Sequence, residues 1–210
     1  MECPLCHTSL HQVVCDDPKH FFYQCMHCDA LVRSTTNYLS VEAEKQRYLL
    51  HNNNVLDVNY QEFVSPIIRQ ILADFSPTTS EGLDFGAGTG PVTTFLLEKQ
   101  GYKMQLYDPF FHPDTSVLKQ LYDFIICCEV IEHFHHPDLE FTTLQSLLKP
   151  HGKLYCMTHI YDNQQPFVDW YYKNDPTHVF IYTPKTLRYI QKHFGFKKMT
   201  IRHRLVVFEM

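Results

Sequence analysis

Hydrophobic and polar positions change their period along the chain. From Gly82 onward short apolar runs alternate with segments of helical period. Gly82-Leu83-Asp84-Phe85, Lys103 to Tyr107, Asp123 to Cys128 and Lys153 to Met157 read as strands. Pro91 to Gln100 and Leu139 to Leu148 read as helices between them. Thr183-Pro184 opens a further helix to His193, and Lys197 to Met210 reads as a closing hairpin. This alternation implies a mostly parallel sheet with helices on both faces and an antiparallel end. Upstream, Ser40 is a candidate N-cap. Val41, Tyr48 and Val55, then Phe63, Ile67, Ile68 and Ile71, predict two amphipathic helices broken around Asn52 to Asn54. The first 33 residues follow neither period, although Val13 to Cys15 can pair with Phe21 to Gln24. Three regions result: a cysteine-rich head (1–36), a helical connector (37–76) and an α/β domain (77–210).

Composition narrows the classes. With 210 residues and 44% hydrophobic content the chain can bury a real core. No run approaches the roughly 18 to 20 apolar residues that span a bilayer, and Met1-Glu2-Cys3-Pro4 lacks the basic and apolar regions of a signal peptide, so a cytoplasmic protein is expected. A formal charge of -5 disfavours phosphate-rich partners at long range. Five of the eight cysteines lie within the first 28 residues, which in a reducing compartment points to metal before disulfide.

Cys3-Pro4-Leu5-Cys6 and Cys25-Met26-His27-Cys28 form two C-x2-C pairs eighteen residues apart, the spacing of a four-cysteine zinc ribbon. So small a head cannot bury much core, and zinc would have to supply folding free energy. Glu2, Asp16, Asp17 and Asp29 outnumber Lys19 and Arg33, so a structural or lid role is favoured over RNA recognition.

In Asp84-Phe85-Gly86-Ala87-Gly88-Thr89-Gly90 the glycines permit positive φ and remove Cβ atoms that would block a ligand. Eighteen residues after Gly90, Asp108 ends a strand and offers a carboxylate to ribose hydroxyls. Pro91 stands where a dinucleotide fingerprint requires glycine, which argues against hydride transfer. The pattern, with Leu148-Lys149-Pro150-His151-Gly152-Lys153 before a strand, resembles class I S-adenosylmethionine-dependent methyltransferases from about Gly82 to the C-terminus. That resemblance implies a Rossmann-like fold, with Asp84, Gly86, Ala87, Gly88, Gly90, Asp108 and Glu129 around S-adenosylmethionine, and Tyr48 and His51 folding over it from the connector. One departure is the stretch of only fourteen residues between Asp108 and Asp123, too short for the helix, strand and helix usual in the family. Asp114 to Leu118 are expected to complete the adenine pocket.

Cys128-Glu129-Val130-Ile131-Glu132-His133 follows a strand at the carboxyl end of the sheet, where open α/β folds bind ligands. On a helical turn Glu129, Glu132 and His133 would share a face and could hold a divalent ion that acidifies a substrate hydroxyl. The string resembles a segment of ubiquinone-biosynthesis and small-RNA 2′-O-methyltransferases, in which a downstream histidine, here His178, completes a site for magnesium, manganese or another divalent ion. The alternative is a metal-free site, with the two glutamates capping backbone and His133 as general base. His159 is a second candidate base. Phe167, Trp170, Tyr171, Tyr172 and Phe180 can form an aromatic lid over a planar substrate or simply close the core.

These features predict methyl transfer to an oxygen of a small or medium-sized acceptor. Two alternatives stand beside it: an RNA methyltransferase docking through Lys185, Arg188, Lys192, Lys197, Lys198, Arg202 and Arg204, and a non-catalytic cofactor-binding module acting through protein partners.

Overall fold

In the computed structural model, which describes residues 1–50 and 54–210, the cysteine-rich head forms β1 (Gln12–Asp17), β2 (His20–Gln24) and β3 (Leu31–Arg33). The connector forms α1 (Val41–Leu49), capped by Ser40 accepting from the Ala43 N–H, and α2 (Val58–Asp74). The alternating part follows as β4 (Glu81–Phe85), α3 (Val92–Lys99), β5 (Lys103–Tyr107), β6 (Tyr122–Cys128), α4 (Pro137–Ser146) and β7 (Leu148–Met157). The short strand β8 (Phe180–Ile181), α5 (Pro184–His193), β9 (Lys198–Arg202) and β10 (Leu205–Glu209) complete the chain.

Six strands form the main sheet in the order β5-β4-β6-β7-β10-β9, parallel from β5 to β7 and antiparallel through the closing hairpin. Successive residues of its strands point to opposite faces, and the core divides accordingly. Phe124, Ile126, Tyr155 and Val207 meet Ile67, Ile71, Val92 and Leu97 of α2 and α3. Ile125, Cys127, Leu154 and Phe208 meet Phe141 and Leu144 of α4 and Leu187 and Ile190 of α5 on the other face. The short stretch after Asp108 contains only a 3-10 turn, Thr115–Lys119, so β5 is left as an edge strand.

Several expectations need correction. Helix α1 buries no side chain, and Val41 is exposed, so α1 is not the amphipathic helix its apolar positions suggested. It is held at its polar side chains, by Arg47 on Asp175 at 2.7 Å and by Glu44 beside His135. Helix α4 begins earlier than expected because Pro137 suits the first helical position. Strand β7 begins at Leu148, with an irregular register opposite Tyr122 to Phe124 that absorbs the extra residues.

The head does not stand apart from the sheet domain. β3 pairs with β8, giving a second sheet β1-β2-β3-β8, and Leu5, Leu10 and Val32 join the hydrophobic cluster under α4 and α5. The rings between β7 and β8 close this junction. Phe167, Trp170 and Tyr172 pack with Cys15, Phe22 and Leu31, and Phe180 lies in the main core.

Gly82 gives a test of the packing between β4 and β6. A Cβ there would stand 2.2 Å from Cε2 of the fully buried Phe124 and 2.8 Å from Sδ of Met104. Gly82→Ala is expected to lower unfolding free energy by about 1–3 kcal/mol through overpacking, read by denaturant unfolding.

Candidate active site

The glycine turn joins β4 to α3. Gly86, at φ +83°, and Ala87 donate their N–H groups to the Tyr107 carbonyl at 2.7 and 3.1 Å, which clips the turn to the end of β5. Asp84 accepts from the hydroxyls of Thr93 and Thr94 at 2.6 and 2.8 Å and so fastens the strand to the helix behind it. Burial raises its carboxyl pKa. Asp108 accepts from the N–H of Gly88 at 3.0 Å and from those of Phe110 and Phe111 at 2.8 and 3.0 Å. It therefore shapes the turn as well as facing the cleft.

That cleft has a volume of about 640 Å³, within the range of small-molecule sites. Gly86 to Gly90, Asp108, Glu129 and His133 all line it, as do Tyr48 and His178. Phe110 and Phe111 line it where Asp114 to Leu118 were expected, because the 3-10 turn carries that segment away. His51 lies outside the described residues. Tyr48 donates to Glu44 at 2.7 Å, and its ring stands edge-on to His133 at 5.4 Å.

Glu129 corrects the helical-face expectation. It has φ +54°, and a 3-10 turn begins only at Ile131, so Glu129 and Glu132 do not lie on one helical face, although both carboxylates reach the Tyr172 hydroxyl. Glu129 pairs with Arg204 and accepts from Tyr172 at 3.1 Å. Burial and the neighbouring Glu132 push its carboxyl up to about 8, against the pull of Arg204. Glu132, His133 and His178 instead bring one ligating atom each within 4.8 Å of one another, without Glu129.

The hydrogen bonds around this trio decide what it offers. His133 Nδ1 lies 2.9 Å from the Thr177 carbonyl and His178 Nδ1 lies 2.6 Å from the Tyr172 carbonyl. A carbonyl can only accept, so each Nδ1 carries the proton and each Nε2 of the neutral ring keeps a free lone pair. Burial holds His178 down to about 4. Glu132 has no solvent exposure; its Oε1 accepts from the Tyr172 hydroxyl, and its Oε2 has no protein partner. Unpaired buried carboxylate oxygens are rare and call for an explanation.

His159 does not line the cleft; it bonds Tyr171 at 3.1 Å and stands edge-on to Trp170 and Tyr172 in the aromatic cluster. The aromatic segment likewise serves the core instead of a lid, with the Tyr172 hydroxyl its one link to the glutamates. Tyr172 and Arg204 are the site residues whose roles the sequence did not disclose, since their partners lie 40 or more positions away.

In the head, Cys3, Cys6, Cys25 and Cys28 bring their Sγ atoms within 4.8 Å of one another, with Cys3 3.6 Å from Cys28 and Cys6 3.3 Å from Cys25. Both pairs use the same turn: His7 donates to the Cys3 carbonyl and Asp29 to the Cys25 carbonyl, each from positive φ.

A model of the methyltransferase domain matches residues 59–201, more than half of the chain. No curated protein sequence matches it. Among solved structures, a SAM-dependent methyltransferase from Archaeoglobus fulgidus aligns with a TM-score of 0.51 at 22% identity, covering 67% of this chain and 71% of that one. Phosphoethanolamine N-methyltransferase 2 of Haemonchus contortus, in complex with S-adenosyl-L-methionine, aligns with a TM-score of 0.54 at 15% identity, covering 80% of this chain and 44% of that one. The chain belongs to the methyltransferase domain family and has the fold of S-adenosylmethionine-dependent methyltransferases.

Proposed function

We propose that this chain methylates an oxygen of a small or medium-sized acceptor, with a divalent ion at Glu132, His133 and His178. The observation that carries this reading is the convergence of one ligating atom each from Glu132, His133 and His178, in a setting where both imidazoles have Nδ1 tied to a carbonyl and Glu132 keeps a buried oxygen without a protein partner. Two neutral imidazoles and one carboxylate suit zinc, iron or manganese better than magnesium, which prefers oxygen ligands.

The cofactor fits its side of the cleft. Gly86 and Gly88 hold positive φ without a side chain, and Asp108 has used three of its roughly four acceptor positions, leaving one for a ribose hydroxyl. S-adenosylmethionine supplies there a sulfonium-activated methyl group for in-line attack. The ion supplies Lewis acidity that lowers the pKa of an acceptor hydroxyl. The protein's own part is alignment and proton handling. Tyr172 keeps the Glu132 carboxylate turned, Tyr48 packs against His133, and Arg204 holds Glu129.

The lining supports a small acceptor over RNA: among the described residues lining the cleft are the carboxylates of Glu44 and Asp108 and no lysine or arginine. Two of the basic C-terminal residues are also engaged, Arg204 with Glu129 and Lys198 with Glu209. No helix among the described residues is long and apolar enough to cross a membrane. In the head, the four converging thiols and their matched turns support a structural zinc ion.

Glu132→Gln is expected to abolish binding of manganese or zinc outside the cysteine cluster and to cut turnover by at least about 100-fold. Affinity for S-adenosylhomocysteine, read by calorimetry, should stay within about threefold. Full turnover in the variant with chelator present would overturn the metal reading. With labelled S-adenosylmethionine and separated cell fractions, the methyl group is expected in low-molecular-weight methyl ethers, and label in RNA would favour the other acceptor. Metal analysis should find one zinc per chain released on Cys25→Ser exchange, together with a marked fall in Tm.

A further inference from the structure

We propose that Arg33 is a positioning residue for the acceptor site: its buried guanidinium gathers the carbonyls of the 172–178 loop, and that loop holds Glu132, His133 and His178. This role rests on those three side chains forming the acceptor site, as proposed above.

Arg33 ends β3 and has no solvent exposure. Its Nε donates to the His178 carbonyl at 3.0 Å, and Nη2 donates to those of Lys173 and Asp175 at 2.7 and 2.8 Å. Nη1 donates to the Lys19 carbonyl in the head at 3.1 Å, and the guanidinium carbon lies 4.7 Å from the centre of the Phe22 ring. The Arg33 N–H also donates to the Val179 carbonyl at 2.9 Å. Three carbonyls of one loop thus face a single rigid fork of donors.

Every member of the trio is tied to that loop. The Tyr172 hydroxyl donates to Glu132, and the Tyr172 carbonyl accepts from His178 Nδ1. The Thr177 carbonyl accepts from His133 Nδ1, and the Val179 N–H donates to the Glu132 carbonyl at 2.9 Å. The 3-10 turn Tyr171–Asn174 and the bonds from Thr177 to the Asp175 carboxylate shape the loop from within, but the joint presentation of the Lys173, Asp175 and His178 carbonyls toward β3 needs a further reason. The fork gives that reason, because five N–H donors in a fixed plane accept only one spacing of partners. Lysine keeps the charge but offers three donors from one atom, and it cannot span the same carbonyls.

The test uses full-length protein with ¹⁵N-labelled histidine, and His133→Gln and His178→Gln assign the two rings. In the wild type each ring is expected as a fixed Nδ1–H tautomer with separated nitrogen resonances. In Arg33→Lys both should move toward averaged positions, turnover should fall by about 10- to 100-fold, and S-adenosylhomocysteine affinity should stay within about threefold. Rings that keep their wild-type positions in Arg33→Lys and Arg33→Met would overturn the proposal. So would loss of S-adenosylhomocysteine binding together with the ring signals in both variants, which would make Arg33 a support of the whole fold. A Glu132→Gln variant with unchanged turnover would overturn the acceptor-site reading, whereas the ring resonances test Arg33 in either case.

Discussion

A guanidinium removed from water carries a desolvation cost of several kcal/mol, and Arg33 meets it on backbone carbonyls with no carboxylate in hydrogen-bonding contact. Burial draws its pKa down to about 10, which still leaves it charged at neutral pH. Each of its bonds is charge-assisted and stronger than a neutral pair. Removing the side chain would strand those carbonyls in the interior, so the junction between head and sheet domain is sensitive to this one position. The pairing of β3 with β8 and the Thr183 hydroxyl bonded to Asp29 at 2.9 Å add to the same seam.

The seam joins the small cysteine-rich head to the sheet domain, and none of the described residues that line the cleft comes from that head. Cys3, Cys25 and Cys28 are buried in the cluster that contains Val32, Phe180 and Leu187, so the cysteine turns are packed into the domain they precede. Their local geometry and the apolar contacts beneath them reinforce each other. The buried aromatic residues between β7 and β8 do the same work from the opposite side, and the Tyr172 hydroxyl reaches the two glutamates from among them.

Two glutamates three positions apart share the Tyr172 hydroxyl but differ in their other surroundings, Glu129 lining the cleft and Glu132 fully buried, because the backbone between them is not helical. Glu129, in the left-handed region, turns to Arg204, while Glu132 is drawn under Tyr172 toward the histidines. Both keep one buried oxygen without a protein partner. Spacing alone predicted a shared helical face; the left-handed φ of Glu129 removed the helix, and Tyr172 keeps the two carboxylates together.

Although β3 and β8 were not legible in the sequence, the alternation of strands and helices from β4 to α4, the helix opened by Thr183-Pro184, the glycine turn with Asp108, the Ser40 cap and the paired cysteines were. Each depends on local periodicity, on backbone stereochemistry at glycine or proline, or on ligand spacing that short turns impose. Tertiary structure alone decided the others: that α1 buries no side chain fully, that the aromatic segment joins the head, that Phe110 and Phe111 line the cleft, that Arg33 gathers the carbonyls of the 172–178 loop, and that Tyr172 and Arg204 meet the glutamates. Those outcomes come from side chains meeting carbonyls and carboxylates far away in the chain. Such partners leave no period or spacing to read, because a backbone carbonyl looks the same at every residue until folding selects which ones converge.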